Sequence, residues 1–173
     1  NSDDTVCTFS VMRRVVMYSP VQIANKFITL GNQHHNPLTH MQLQKLTYIA
    51  HGYYLALTGK PLLNECVSAW KYGPVIPGMY DAFKDYGNKP VTNVAVAPFG
   101  GIVTMDPQAE SIIGAVYKFY GSKNGIELST LTHMPGTPWS QAYNGIGSSI
   151  ISNDAIKAYY HDLLNNRQQC QGL

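Results

Sequence analysis

"HMQLQKLTYIAHGYYLALTG", residues 40–59, decides the fold class. Leu43, Leu46, Ala50, Tyr53 and Leu57 recur at steps of three or four and share one helical face. Met41, Tyr48 and Leu55 make a thinner stripe almost opposite. A helix that is apolar on two sides has to be covered on both, which places it at the centre of a helical domain. Thr39 is read as the start of this helix, which runs to Gly59.

The remaining helices are marked by their ends. Ser19-Pro20 pairs a cap with proline at the first helical position, and Gln22 has capping-box spacing. Ile23, Phe27 and Leu30 follow on one face until Gly31, which is read as the stop. Pro77 opens a short helix with Tyr80 and Phe83 on one side, closed by Gly87. Asp106-Pro107 repeats the cap-then-proline signal ahead of Ile113, Val116, Tyr117 and Tyr120, with Gly121 beyond. Asn124 and Glu127 frame another start before Leu128 and Leu131, and Thr137-Pro138 begins a brief turn with Trp139 and Tyr143. Ser152 caps the last helix, where Ile156, Tyr159, Tyr160, Leu163 and Leu164 fit the amphipathic template.

Three stretches read as extended: "CVSAWKY" at 66–72, "VTNVAVA" at 91–97 and "IVTM" at 102–105. "PFGG" at 98–101 is read as the turn joining the last two, and Gly73-Pro74 as the turn that ends the first. Alternation in "VSAWKY" sets Val67, Ala69 and Lys71 on one face and Ser68, Trp70 and Tyr72 on the other. The expected fold is mainly α (α+β), a compact helical domain with a small antiparallel β-hairpin or sheet. Residues 1–16 show no clean period and are read as an N-terminal extension outside the fold, leaving a single domain over 17–173.

Composition limits the function classes. Of 173 residues, 45% are apolar and only 13% charged, as in a globular chain with a sizeable core. The net charge is +2 with the cations scattered, whereas a nucleic-acid binder clusters them on one face, so no nucleic-acid partner is expected. No apolar run approaches the roughly 20 residues of a membrane span, so no membrane partner is expected. Cys7, Cys66 and Cys170 are too few and too dispersed for a disulfide framework or a metal knot, and are read as reduced thiols of a cytoplasmic protein.

Chemistry is hard to find. Among six histidines no pair has the i, i+4 spacing of a zinc helix. There is no GxSxG elbow, Walker loop or GxGxxG between strand and helix. His133, in "LTHMPGTPW", is open to two readings: a general base beside a pocket, or a side chain tying down the Gly/Pro turn. No metal or cofactor is expected, and no catalytic residue is assigned.

What stands out instead is "AWKYGPVIPGMYDAFKDYG", residues 69–87, with five aromatic rings among glycines and prolines. Trp70, Tyr72, Tyr80, Phe83 and Tyr86 could all serve the core, yet tyrosine and tryptophan on rigid backbone are also the preferred make-up of protein-binding surfaces. In order, "LQKLTYIAHGYYLALTGKPL", this stretch and "ELSTLTHMPGTPWSQAY" resemble the signature blocks of the Panacea domain, the SocA-like antitoxin family formerly grouped with phage-associated proteins of unknown function. The resemblance covers about residues 18–164.

It implies a non-enzymatic antitoxin from a two-gene toxin–antitoxin module of a bacterium or prophage. Its partner would be a cognate protein toxin encoded by the adjacent gene. Direct binding would neutralise that toxin; the alternatives are an adaptor delivering it to a ClpXP-type protease, and an enzyme using His133. The resemblance carries over Leu43, Lys45, Leu46 and Tyr48 from the first block, with Trp70, Lys71, Tyr72, Gly73, Pro74 and Tyr80 from the second. The third contributes His133, Pro138 and Trp139. The candidate partner-binding residues are Tyr48, Trp70, Lys71, Tyr72, Pro74, Tyr80 and Trp139. A family facing unrelated toxins should vary its contacts, so shared blocks also have a reading as scaffold.

Overall fold

A computed structural model describes residues 16–96, 101, 103–147 and 149–171, with side chains to Arg167. The extension read over 1–16 thus lies outside the described residues apart from Val16, as do Ala97–Gly100 of the "PFGG" region.

The central helix forms as its stripes require. Helix α1 spans Pro20–Gln33 and α2 spans His40–Thr58, with the two-residue strand β1, Leu38–Thr39, between them. Thr39 caps α2 in a full capping box with Gln42, and Gly59 closes it at φ +72°. Every residue from Gln42 to Leu55 is buried, and only the ends of the stripes, Met41 and Leu57, are exposed. Around α2 pack α1, α3 (Pro77–Phe83), α4 (Pro107–Tyr120), α5 (Gly125–His133) and α7 (Asn153–Gln171), while α6 (Pro138–Ala142) bridges α5 and α7. α2 and α7 meet closely at Gly52, where an added Cβ would lie 2.2 Å from the Tyr160 ring. His51 ties the same region together. Its Nδ1 accepts the Leu63 amide at 3.3 Å, and its Nε2–H donates to Asn153 at 3.0 Å.

Most predicted caps are present: Ser19–Gln22 on α1, Asp106 on α4, Asn124–Glu127 on α5, Thr137 on α6 and Ser152 before α7. The end of α1 differs from the reading at Gly31. The helix continues to Gln33, and His35 takes the left-handed conformation at φ +52°. The His35 amide donates to Asn32 O at 3.2 Å and the Asn36 amide to Gly31 O at 2.8 Å, which is a Schellman ending one turn later. Gly31 is needed for close approach: its Cβ would stand 2.7 Å from the Asn36 carbonyl oxygen.

The β structure is small and antiparallel, but its pairing departs from the expectation. β2 (Val67–Trp70) is the middle of a three-stranded sheet between β3 (Gly73–Val75) and β5 (Ser149–Ile151). Trp70 pairs with Gly73, so the hairpin turn is Lys71-Tyr72, one step before the expected Gly73-Pro74. Pro74 lies on an edge strand, where a missing N–H is tolerated. β4 is only Pro90–Val91 and pairs with β1, and residues 92–96 and 103–105 form no strand. Asn25 explains why: its side chain accepts the Ala95 amide at 2.9 Å and donates to Ala95 O at 2.7 Å and Gly101 O at 3.2 Å. One buried amide takes the place of a partner strand.

Candidate ring-rich groove

Four of the seven candidate residues come together. Trp70, Lys71, Tyr72 and Tyr80 line a groove of about 450 Å³, whose opposite wall is the first turns of α2 with His40, Gln44 and Lys45. The β2–β3 turn presents Lys71 and Tyr72, and α3 presents Tyr80. Tyr72 is 65% exposed and Tyr80 40%. Tilted ring contacts run from Trp70 to Tyr80 at 5.3 Å, from Tyr80 to His40 at 5.2 Å and from His40 to buried Phe83 at 6.0 Å. Part of the ring surface is thus anchored in the core and part meets solvent.

Two α2 side chains hold the groove's far wall. Gln44 accepts the Ile76 amide at 2.9 Å and donates to Ile76 O at 3.3 Å. Lys45, 3% exposed, donates from Nζ to Pro74 O at 2.8 Å. Gly73 beside it takes φ +116°, a conformation that favours glycine, and a Cβ there would meet that same Nζ at an ordinary contact distance of 3.4 Å. Burial alone pulls the Lys45 pKa down to about 8, and no carboxylate compensates. His40 is lowered as well, first by desolvation and then by the Lys45 charge.

The other candidates sit elsewhere. Tyr48 is 1% exposed, edge-on to Tyr160 at 6.0 Å, and burial raises its hydroxyl pKa. It lies in the α2–α7 interior, away from the groove, and meets no solvent. Pro74 is buried and contributes its carbonyl to Lys45. Trp139 is half-buried, donates from Nε1 to Trp70 O at 2.6 Å and stacks on Tyr143 at 4.6 Å, so it braces the strand behind Trp70. His133 stands edge-on to Trp139 at 5.2 Å, with its Nδ1 on the Ser129 carbonyl one turn back. That bond stays within α5 and does not reach the Gly/Pro turn.

Sequence reasoning missed His40, Gln44 and Asn88 as groove residues, and kept Lys45 only as a family position. A signal was present for two of them: Gln44-Lys45 are polar residues near the start of a helix whose apolar stripes cover two sides. A second hollow of about 120 Å³ lies on another face, lined by apolar side chains with Arg167 at its edge. Arg167 donates to the Tyr120 hydroxyl at 3.0 Å.

The fold and this groove define a mainly helical domain that offers a ring-lined recess and no assembled catalytic set among the described residues. The family model described as "Antitoxin SocA-like, Panacea domain" matches residues 43–140, which include every groove side chain from Gln44 to Asn88. The chain belongs to that family. It is 35% identical over 121 residues to Antitoxin SocA of Caulobacter vibrioides (strain NA1000 / CB15N), a match covering 66% of this chain and 64% of that relative's length. No solved structure gives a significant match.

Proposed function

We propose that this protein is a non-catalytic antitoxin that neutralises a protein toxin by direct binding, with the ring-rich groove as the contact face. The observation carrying this reading is the joint exposure of Tyr72 and Tyr80 beside Trp70 on one recess, in a chain of the Panacea-domain family. Such rings contribute large contact area with little side-chain entropy to lose. The partner is a toxin encoded by the adjacent gene. Lys71, Tyr72 and Tyr80 reach it, while Pro74 and Trp139 keep the face in shape and Tyr48 serves the α2–α7 interior.

The test is growth of cells expressing the adjacent gene with and without this protein. Toxicity that this chain relieves supports the reading. The double change Tyr72→Ala with Tyr80→Ala should then weaken the complex by about 30-fold or more, from roughly 1 kcal/mol or above per interface ring. An adjacent gene that is harmless in both settings overturns the reading. The partner's half-life in cells with and without a ClpXP-type protease separates masking, which leaves it unchanged, from delivery, which shortens it.

A further inference from the structure

The groove's polar groups are unbalanced. Among its lining residues Lys45, Lys71 and the Trp70 indole can all donate, and none is Asp or Glu. Lys45 has three N–H donors and one is given to Pro74 O. Trp70 Nε1 is buried with no acceptor among the described residues. Lys71 is exposed, makes no salt bridge among them, and reaches back only over its neighbour Tyr72 at 5.4 Å. A buried ammonium facing one neutral carbonyl is costly, and an unused indole N–H adds to the cost. Both costs are removed by an anionic acceptor.

We infer that the groove captures an acidic segment of the partner protein, whose carboxylate is received by Lys45 and Lys71 beside the Trp70 indole N–H while neighbouring apolar atoms of the segment lie on Tyr72 and Tyr80. This rests on the proposed function and deepens it by naming the chemistry of the partner's contact. A carboxylate fits because it is acceptor-only and small enough to enter among rings. A nucleic-acid strand would need a track of cations that this recess lacks. Pairing also restores the Lys45 proton that burial weakens. The groups lining the same recess are His40 on α2, Lys71 and Tyr72 at the β2–β3 turn and Tyr80 on α3, with uncharged Thr132 of α5 near the ammonium; none is an acid. Capture therefore takes up a proton above pH 8, and affinity should fall roughly tenfold between pH 7 and pH 9.

The probe is a displayed library of random dodecapeptides selected on the intact protein. The strongest binder is then resynthesised with each Asp and Glu changed to Asn and Gln. Selected peptides should be enriched in Asp and Glu. The amide version should bind at least tenfold more weakly, and Lys71→Glu, a surface change, should lose binding. Lys45→Met, checked for folding by its thermal transition, should lose both binding and the pH dependence. A selection that yields no peptide, shows no acidic enrichment, or yields binders indifferent to Lys71→Glu overturns the inference, as does displacement of the peptide by a single-stranded oligonucleotide. Growth rescue separates the two claims. Wild-type rescue retained in Lys71→Glu overturns acidic capture and leaves the antitoxin reading standing, whereas failure of the wild type removes that reading itself.

Discussion

Lys45 makes the free protein's stability rise with pH where most proteins are flat or falling. Its pKa is about 8 in the fold against an ordinary 10.5. Between those values the unfolded chain holds the proton and the native chain does not, so raising pH favours the native state. The penalty for burying the charge is fully present below pH 8 and relieved as pH climbs toward 10.5. Each pKa step corresponds to about 1.4 kcal/mol, and integrating from pH 7.5 to 9.5 gives a gain of about 2 kcal/mol. For a domain of this length that is an increase in Tm of about 4–8 °C. The measurement stops at pH 9.5 because Tyr18, Tyr48, Tyr53, Tyr54, Tyr159 and Tyr160 pull the other way: burial raises their pKa values, so stability falls as pH passes the ordinary value of 10. Lys45→Met deletes the titration while filling the same space. At pH 7 it should lie close to wild type, since relief of the buried charge offsets about 1–3 kcal/mol for leaving Pro74 O without its donor. Thermal unfolding of both proteins from pH 7.5 to 9.5 decides the matter. Parallel curves would refute the reasoning and show that the ammonium is solvated or paired in solution.

Two glycines that both lack room for a Cβ should respond differently. At Gly52 the obstruction is the buried Tyr160 ring, so Gly52→Ala should cost about 3 kcal/mol or more despite the better helix former, read as a lower Tm. At Gly78 it is the free end of exposed Glu65, which can swing away, so Gly78→Ala should stay within about 0.5 kcal/mol. Asn25→Ala removes the amide that substitutes for a strand and should cost about 2–3 kcal/mol. Hydrogen exchange at Ala95 should accelerate more than exchange in α2.

What the sequence made legible follows the range of the forces involved. Ser19–Gln22, Thr39–Gln42 and Asn124–Glu127 are exchanges between side chains and amides within four residues, so the helix starts could be read directly. The sheet could not, because β2 pairs across to Ser149–Ile151, and Ala95 and Gly101 are held by Asn25 of α1. Alternation there signalled extended backbone but not who would satisfy it.

The groove divides in the same way. Its outer wall was visible because Trp70, Lys71, Tyr72 and Tyr80 are near neighbours in one ring-rich stretch. Its inner wall was hidden, because Gln44 and Lys45 interrupt a helix whose apolar stripes dominate the pattern. Lys45 and Tyr48 are three residues apart and both belong to the family's first block, yet one reaches Pro74 O and the other the Tyr160 ring. Burial, which a linear pattern does not record, is what separates the enclosed family positions from the exposed ones. Pro74 and Trp139 give their polar groups to internal partners, and Tyr48 is enclosed against the Tyr160 ring with its hydroxyl unpaired among the described residues. Lys71, Tyr72 and Tyr80 are open to solvent, and Lys45 belongs to both groups: it pins β3 to α2 and, with Lys71, carries a charge in the recess that no described carboxylate neutralises.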